Sequence, residues 1–493
     1  MTRPSAGALP SWLLLAAALL AGCSEDTQFF AEDNGEIADE LGSGFLRLDV
    51  FPSNLDADLL PQTVILEENW EGLEIEMSTP VQVNGRITGF DATPHVTATV
   101  PGEDVPVRAL IAAWVPGTVM TGGTLSAEDG SYAIRLAPAA AYTFSVIPTE
   151  PPDLPFVVDF PVDVGAGSAG GAVYLDYGVP VHGRVLTEDG LPLQGIEVQA
   201  VEASSGVGGP ILTTDAAGWY HLRVLPGEYE IGVSGLEGSY VPTCRVPVYA
   251  EPTTGAEQDF VFGTLEPVTV EGDIRASKPG MGVDDIEVRF TATTLADHPS
   301  CGLDVATNTD QYGHFSIRIL PGNYVMEVVP PYPVALSPLQ ESVEIGDESA
   351  LDLGEIDLEG FVPISAVVRG PGEAGEPVEG VQVHVEVIGF DGFTYDTFTD
   401  KIGAFEMDVP HAKLSVRLTP PSTDLAVRRI DVPVDDFPEQ VVLGSGRRIA
   451  GTVAYRGEPV AYTPIEVRDR TGRLYATTTT GEAGAFAVRV EQE

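Results

Sequence analysis

The chain has 493 residues, of which 43% are hydrophobic, so it can build several cores and is not a disordered chain. Acidic residues outnumber basic residues 74 to 25, and the net charge is −49 at pH 7. A surface this negative excludes nucleic acid and anionic lipid headgroups as favoured partners, because it repels both. The length predicts about three to five domains.

The N-terminus has the pattern of an export signal. The segment before Trp12 carries one positive charge, Arg3, and an apolar run follows from Trp12 to Leu20. The run is too short to cross a bilayer as a helix, which needs about 20 residues, but it fits the apolar core of a signal peptide. One interpretation is an ordinary secretory signal in which Cys23 occurs by chance.

The other interpretation rests on the end of the run, Leu20-Ala21-Gly22-Cys23, which resembles the lipobox of bacterial lipoproteins. The resemblance implies that residues 1–22 are removed and that Cys23 is lipidated. Two or three acyl chains anchor a protein stably, whereas one chain is marginal. Ser24, a residue other than Asp, implies the outer membrane, at its periplasmic face or at the cell surface. We therefore expect the membrane to be a partner through the lipid anchor.

Residues 23–43 are acidic and lack hydrophobic periodicity. This composition predicts a flexible tether that holds the rest of the chain away from the membrane.

From about residue 80 onward, the sequence repeats with a period of roughly 80 to 100 residues. The second repeat contains TTDAAGWYHLRVLPGEYEIGV, and the third contains TNTDQYGHFSIRILPGNYVMEV. One series of landmarks is a turn glycine: Gly130, Gly218, Gly313, Gly403 and Gly484. A second series opens each unit: Gly85, Gly183, Gly272, Ala366 and Gly451. Because two independent series share one period, the chain is predicted to consist of repeated modules.

The strand after each turn glycine alternates apolar and polar residues, which places every second side chain in a core. Strands of this length, bounded by turn signals and without helical periodicity, predict antiparallel β-sandwiches. The core positions are predicted to be Tyr132, Ile134, Leu136, Tyr220, Leu222, Val224, Phe315, Ile317, Ile319, Phe405, Met407, Val409, Phe486, Val488 and Val490.

The second repeat (178–263) combines GRVLTEDGLPLQGIEV, TTDAAGWYHL and PGEY. This pattern resembles the carboxypeptidase regulatory-like domain, which is related to transthyretin-like and collagen-adhesin B-like domains. The resemblance implies an all-β chain, built as a tandem array of transthyretin-like seven-stranded antiparallel β-sandwiches. It is good in the third repeat (264–359), partial in the fourth (360–444) and weakest in the first (80–177). The related carbohydrate-binding-like fold implies sugar binding for some relatives.

The two ends of the repeat region are each incomplete. Residues 445–493 cover only the first four strands of a unit, and residues 44–79 resemble the missing last three: FLRLDVFP aligns with YEIGVSG, and GLEIEMSTP aligns with QDFVFGTLEP. A half-sandwich would leave sheet edges unpaired. We therefore hypothesise that the two halves complete one sandwich, within one chain or between chains. The alternative is that 44–79 packs on the first module and the last unit is a partial cap.

Two cysteines besides Cys23 face an oxidising compartment if the chain is exported, namely Cys244 and Cys301. They could form a disulfide that joins neighbouring modules. The alternative is two buried, unpaired thiols.

Catalytic patterns are absent from the sequence. No histidine has a glutamate three residues later, as a metallopeptidase motif requires. The serine hydrolase pattern G-x-S-x-G is also absent, since Ala166 precedes Ser168 where glycine would stand. We therefore predict a protein without catalytic residues and without a dedicated metal site.

Exposed aromatic residues are the candidate ligand-binding groups. Trp219 lies on the outward face of its strand, where an indole could stack on a sugar ring, and Trp70 and Trp114 are similar candidates. The alternative is that these aromatic side chains cover joints between modules.

Calcium is the one cofactor that the acidic loops suggest. The weak candidates are the pairs Asp284/Asp285 and Asp435/Asp436, which lack the ordered ligand spacing of a calcium loop.

The sequence thus predicts a non-catalytic cell-envelope lipoprotein whose β-sandwich modules act as a spacer and an interaction surface, facing a glycan or an envelope protein. One alternative is a carbohydrate-binding surface protein. Another is an accessory subunit of an envelope peptidase or transporter.

Overall fold

A computed structural model describes residues 46–491 with internal gaps. The gaps are 53–58, 67–69, 90–104, 117, 139, 152–153, 165–168, 236–239, 264–265, 278–282, 297–299, 348–349, 373–374 and 470–471. The signal peptide (1–22), Cys23 and the tether (23–43) lie outside the described residues, so the lipid anchor stays a prediction. Within the described ranges, no helix is long and apolar enough to span a bilayer.

The described residues form 39 β-strands and one short 3-10 turn, Val434–Asp436. This confirms the predicted all-β fold class. The strands are grouped into five sandwiches, because five separate hydrophobic clusters each lie between two sheets. Four sandwiches follow one another along the chain and are called modules 1 to 4. The fifth, called the closing module, combines strands from both ends of the described chain.

The strands that begin the described chain belong to the closing module: β1 (Leu46–Val50), β2 (Gln62–Leu66) and β3 (Glu71–Glu76). Module 1 contains β4 (Val81–Gly89), β5 (Val105–Pro106), β6 (Arg108–Trp114), β7 (Thr121–Leu125), β8 (Ser131–Leu136), β9 (Ala140–Glu150), β10 (Val157–Val164) and β11 (Ala169–Leu175). Module 2 contains β12 (Val179–Thr187), β13 (Glu197–Glu202), β14 (Leu212–Thr213), β15 (Trp219–Val224), β16 (Gly227–Ser234), β17 (Thr243–Ala250), β18 (Ala256–Glu257) and β19 (Phe260–Phe262).

Module 3 contains β20 (Val268–Ala276), β21 (Glu287–Leu295), β22 (Cys301–Gly302), β23 (Asp304–Asn308), β24 (His314–Ile319), β25 (Gly322–Val329), β26 (Leu339–Ile345) and β27 (Ala350–Leu358). Module 4 contains β28 (Val362–Arg369), β29 (Gln382–Val387), β30 (Thr394–Phe398), β31 (Ala404–Val409), β32 (Lys413–Thr419), β33 (Arg428–Pro433) and β34 (Gln440–Val442). The closing module resumes with β35 (Arg447–Tyr455), β36 (Glu458–Pro459), β37 (Pro464–Arg468), β38 (Leu474–Thr479) and β39 (Ala485–Val490).

All five sandwiches share one strand order, which module 3 shows most simply. Its four-stranded sheet has the order β23-β21-β25-β26, and its three-stranded sheet has the order β24-β20-β27. The first strand of the module, β20, therefore lies between the fourth and the last main strand. The sequence predicted purely antiparallel sheets, and here the structure differs: β27 runs parallel to β20. The same parallel pair recurs in each module. The chain leaves the four-stranded sheet after the sixth main strand of the module, crosses to the sheet of the first strand, and there runs in the same direction as the first strand.

The cores are where the period-two alternation predicts them. In β15, Tyr220, Leu222 and Val224 are buried, whereas the intervening residues are exposed or half-buried. The corresponding apolar positions of the other modules are also buried, except Ile317 and Met407, which are partly buried. Alternation on a sheet that is covered on one side therefore sufficed to predict the core.

The turn before each of these strands needs its glycine. Gly218 has a φ of +76°, and a Cβ added there would lie 2.6 Å from the carbonyl oxygen of Val185. The Asp215 carboxylate accepts hydrogen bonds from the backbone of Ala217 at 2.8 Å and Trp219 at 2.9 Å. Asp310 and Asp400 make the same two bonds in modules 3 and 4. The Asp-x-x-Gly phrase is thus a turn motif that aligns the strand behind it.

The closing module joins residues 46–76 to residues 447–490 within one chain. Strand β1 pairs antiparallel with β37, and β3 pairs parallel with β35. The resulting sheets have the orders β2-β1-β37-β38 and β39-β35-β3, which match the other modules strand for strand. Leu48, Trp70 and Ile75 from the N-terminal strands share a core with Val453 and Phe486 from the C-terminal strands.

A buried carboxylate ties the two parts of the closing module together. Asp49 on β1 is fully buried and lies 3.0 Å from the guanidinium of Arg47 and 3.5 Å from that of Arg468 on β37. Burial raises the pKa of Asp49, although both arginines and a hydrogen bond from Thr63 oppose the shift. The Thr63 hydroxyl also accepts a 3.0 Å bond from the backbone N–H of Val119 in module 1. The closing module therefore contacts module 1 as well.

Candidate functional site

The joint between modules 2 and 3 is covalent, because Cys244 and Cys301 form a disulfide with a Cα–Cα distance of 4.3 Å. The two-residue strand β22 of module 3 pairs antiparallel with β17 of module 2, so a piece of module 3 extends the sheet of module 2. Of the two alternatives for these cysteines, the structure contains the disulfide and not the unpaired thiols. The joint has a structural role and presents no reactive thiol.

The joint between module 4 and the closing module is a network of charges. Arg473 donates to the carboxylate of Asp431 at 2.9 Å, and Arg429 donates to the carbonyl oxygen of Leu474 at 3.0 Å. Arg429 and Asp431 belong to module 4, whereas Arg473 and Leu474 belong to the closing module. These bonds hold the sheet of module 4 against the loop before β38.

A histidine lies in the same network. His384 contacts the Glu386 carboxylate at 3.2 Å and the Asp396 carboxylate at 3.0 Å. The hydrogen bond with Glu386 raises the pKa of His384 and lowers the pKa of Glu386, although burial opposes both shifts. In the sequence, His384 and Glu386 are only alternate residues of one strand, β29. Their role at a joint was missed because Arg429 and Arg473 come from distant segments.

The outward face of module 2 carries the most distinctive surface groups. On β15, Trp219 and His221 alternate with buried residues, and on the neighbouring strand β12, His182 and Arg184 do the same. The register places Trp219 opposite Arg184 and His221 opposite His182. Four polar or aromatic side chains therefore lie together on one exposed sheet surface.

These side chains are stacked in a row. The ring centroids of Trp219 and His221 are 6.0 Å apart with an interplanar angle of 14°, and those of His221 and His182 are 6.1 Å apart with an angle of 18°. The Arg184 guanidinium lies 5.3 Å from the Trp219 ring centroid and donates to the carbonyl oxygen of Ala217 at 2.9 Å. Each group thus holds the next in a fixed orientation.

The row continues with Arg223, two residues beyond His221 on β15. Its guanidinium lies 3.4 Å from the ring centroid of Tyr177 and donates to the Tyr177 hydroxyl. Tyr177, which is 37% exposed, lies between β11 of module 1 and β12 of module 2. We call Trp219, His221, His182, Arg184, Arg223 and Tyr177 the stacked face.

The stacked face was only partly predictable. The sequence identified Trp219 as outward-facing, but not the partners that orient it. The alternation GVPVHGRVLT on β12 contained the signal, since Gly183 pairs with the buried Tyr220 and so its neighbours must point outward. Pairing β12 with β15 from the repeat would have found His182 and Arg184.

The other two aromatic candidates differ in burial. Trp70 is only 7% exposed and belongs to the core of the closing module, with the Arg447 guanidinium 3.7 Å from its ring centroid. It was wrong as a stacking candidate, because the pairing of β3 with β35 encloses it. Trp114 is half-buried at the end of β6.

The calcium candidates are not gathered into a metal site. Asp285 accepts a 2.7 Å hydrogen bond from the side chain of Asn308, and Asp435 contacts His411 at 3.1 Å. Asp284 and Asp436, the sequence neighbours of Asp285 and Asp435, are exposed. Across the described ranges, no group of three or more His, Cys, Asp or Glu side chains is placed to hold a metal ion.

No family model matches this sequence, and no curated protein matches it significantly. Among solved structures, a Streptococcal ancillary pilin is 12% identical, with 74% of this chain and 99% of that chain covered and a TM-score of 0.20. The Bacillus anthracis TIE protein is 12% identical, with 74% of each chain covered and a TM-score of 0.17. The minor pilin of Streptococcus agalactiae is 11% identical, with 36% of this chain and 94% of that chain covered and a TM-score of 0.23.

Because these TM-scores are low, the likenesses bear neither on the arrangement of the modules nor on the function. The resemblance to the carboxypeptidase regulatory-like domain stays a prediction from the sequence.

Proposed function

We propose that this chain is a lipid-anchored cell-envelope protein without catalytic activity, whose five sandwiches form a closed spacer that presents binding surfaces. The anchor is proposed from Leu20-Ala21-Gly22-Cys23. The single observation that carries the spacer role is the closing module, in which β1 and β3 pair with β37 and β35.

The closing module should help the anchored chain to resist a pull on its tether. The strands nearest the N-terminal tether are β1 to β3, and all three precede module 1. A pull on the tether is applied first to these strands, which cannot be drawn out without leaving the closing module. Rupture would have to break the ladders with β37 and β35 and expose a shared core.

The joints support a display role. A disulfide fixes module 2 to module 3, and a charge network fixes module 4 to the closing module. Modules joined in this way hold their exposed faces in a constant relation to one another, which a flexible string of domains does not do.

The anchor is tested by expressing the full chain in a Gram-negative host and measuring the mass of its N-terminal peptide. We expect a peptide that begins at Cys23 and carries a diacylglyceryl group. The Cys23→Ser variant is the control and should carry no acyl group. A wild-type N-terminus that retains residues 1–22, or that is cleaved but not acylated, would contradict the proposal.

A further inference from the structure

The stacked face of module 2 is an outward-facing, mostly half-buried row of aromatic rings and cations in a strongly acidic protein. Trp219, His221 and Arg223 occupy alternate positions on β15, so the row runs along the strand for roughly 13 Å, at about 3.3 Å per residue. Strand β15 is also the outer strand of its sheet. The row is therefore long enough for an extended ligand and open on one side.

The cations of this row are not neutralised by carboxylates. Other arginines of the described chain form ion pairs, for example Arg275 with Glu355 at 2.6 Å and Arg289 with Glu287 at 2.8 Å. Among the described residues, Arg184 and Arg223 contact aromatic rings, a phenol and backbone carbonyl groups. Their positive charge remains available to an external anion, and stacking holds each guanidinium in place before a ligand arrives.

Module 3 shows that the fold itself does not require this row. At the same register positions, Asp273 replaces Arg184, Glu271 replaces His182, and His314 replaces Trp219. There His314 contacts the Asp273 carboxylate at 3.1 Å, and Ser316 donates to Glu271 at 3.2 Å. These positions of module 3 are thus internally paired, whereas those of module 2 are cationic and aromatic. The two faces are alike only at the end of the row, where Arg318 replaces Arg223 and lies 5.5 Å from the Tyr240 ring centroid.

We propose that the stacked face binds an anionic saccharide chain, in which the sugar rings stack on Trp219 and the carboxylates bind Arg184 and Arg223. A pyranose ring presents an apolar C–H face to an indole, and a uronate carboxylate matches the fork of a guanidinium. Glu257, next to His182, and Asp259, whose carboxylate accepts the backbone N–H of Arg184 at 2.7 Å, border the row on its far side. These acids confine the ligand's charges to the side of β15.

A polyphosphate chain is a poor alternative ligand, because it has no apolar ring face that could stack on Trp219 and the row offers only two arginines. A second copy of this chain is the competing occupant, since its acidic surface could also pair with the row. The inference goes beyond the proposed function, which would stand as a spacer if no saccharide bound.

The test is isothermal titration calorimetry of the purified full chain with oligogalacturonate and oligoguluronate at low ionic strength. A neutral malto-oligosaccharide of the same length is the ligand control. We expect the uronates to bind and the neutral sugar to bind at least about tenfold more weakly, since each charged contact contributes a factor of this order. Added salt should weaken uronate binding, because both arginines are at the surface.

Variants locate the site. Trp219→Ala and Arg223→Gln should each weaken uronate binding about tenfold or more, and Trp219→Phe should lose less because it keeps a ring. The matched controls, His314→Ala and Arg318→Gln, change the equivalent positions of module 3 and should leave the affinity unchanged. Because these side chains face outward, all five variants are expected to keep the wild-type melting temperature.

The proposal would be overturned if neither uronate bound, or if the neutral sugar bound as tightly as the uronates. It would also be overturned if the module 3 variants lost as much uronate affinity as the module 2 variants. Sedimentation of the wild-type chain and of Trp219→Ala tests the competing occupant. A self-association that Trp219→Ala abolishes would assign the row to a second copy and overturn the saccharide proposal. If the chain binds no saccharide but Cys23 is acylated, the saccharide proposal fails and the proposed function stands.

Discussion

The closing module and module 3 have the same strand order but are assembled from very different stretches of chain. In the closing module, the carboxylate of Glu76 accepts a hydrogen bond from the backbone of Arg456, 380 positions later. In module 3, the first and last strands are linked by a bond from Gly360 to the Ser277 hydroxyl over 83 positions. The loop closed in the closing module is longer than that of module 3 by roughly two doublings. This difference costs the closing module only about 1 kcal/mol in loop-closure entropy.

The difference therefore concerns the order of events more than the final stability. Module 3 can fold as soon as its own residues are present, because every strand of it is local. Strands β1 to β3 must instead wait for β35 to β39, with unpaired edges that invite wrong pairing in the meantime. The closing module is consequently the last module of this chain that can complete its fold.

The largest effect is expected from deleting residues 46–76. The closing module would lose three strands and the core residues Leu48, Trp70 and Ile75, which leaves a five-stranded remnant with open edges. Hydrogen exchange should lose its protection throughout residues 447–490, while module 3 keeps its protection. Unchanged protection of 447–490 would show that the C-terminal strands fold without their N-terminal partners.

The disulfide gives module 3 a constraint that the closing module lacks. Replacing both cysteines, Cys244→Ser with Cys301→Ser, removes a cross-link over 57 positions and should destabilise modules 2 and 3 by about 2–4 kcal/mol. Calorimetry should show their transition at a lower temperature and the transition of the closing module unchanged. Reductant applied to the wild-type chain is the matched control and should reproduce the shift. A shift spread equally over every module would argue against a local cross-link.

Adding one methyl group at Gly451 should destabilise the closing module. A Cβ added to Gly451 would lie 2.3 Å from the carbonyl oxygen of Leu73, so Gly451→Ala must push β3 away from β35 at a cost of about 1–3 kcal/mol. The control is Gly346→Ala in module 3, where no heavy atom lies within 4 Å of the added Cβ. Thermal melting followed by hydrogen exchange of β3 distinguishes the two. Equal melting temperatures would show that β3 does not approach Gly451 closely.

The smallest effect is a pH dependence at the joint between module 4 and the closing module. Because the folded chain raises the pKa of His384 above its usual value near 6.5, protonation of His384 stabilises the fold at low pH. This contribution is lost as the pH rises through the folded-state pKa, and it should amount to at most about 1 kcal/mol because the partners are partly exposed. Melting temperatures from pH 6 to 8 should fall slightly more for the wild type than for His384→Gln. Parallel curves for the two proteins would exclude His384 as the source.

Much of this architecture was predictable from local patterns. The Asp-x-x-Gly turns, the alternation in strands such as β15 and the period of the repeat are local, because they depend on φ at one glycine and on which side of a strand a residue lies. They predicted the all-β class, the cores and the outward position of Trp219. The alignment of 44–79 with the last strands of module 2 also suggested a sandwich completed with residues 445–493. It left open whether the two halves belong to one chain or two, and whether 44–79 packs on the first module instead.

Tertiary structure decided what depends on pairing between distant strands. The parallel return of the last strand in each module, the burial of Trp70 beneath β35 and the stacking of Trp219 on Arg184 all arise from neighbours that are not adjacent in sequence. The sequence by itself determined the modules, since turns and alternation are written into each short segment. Only the folded chain decided that its two ends form one sandwich, because an edge strand pairs with any complementary partner that the rest of the structure brings within reach.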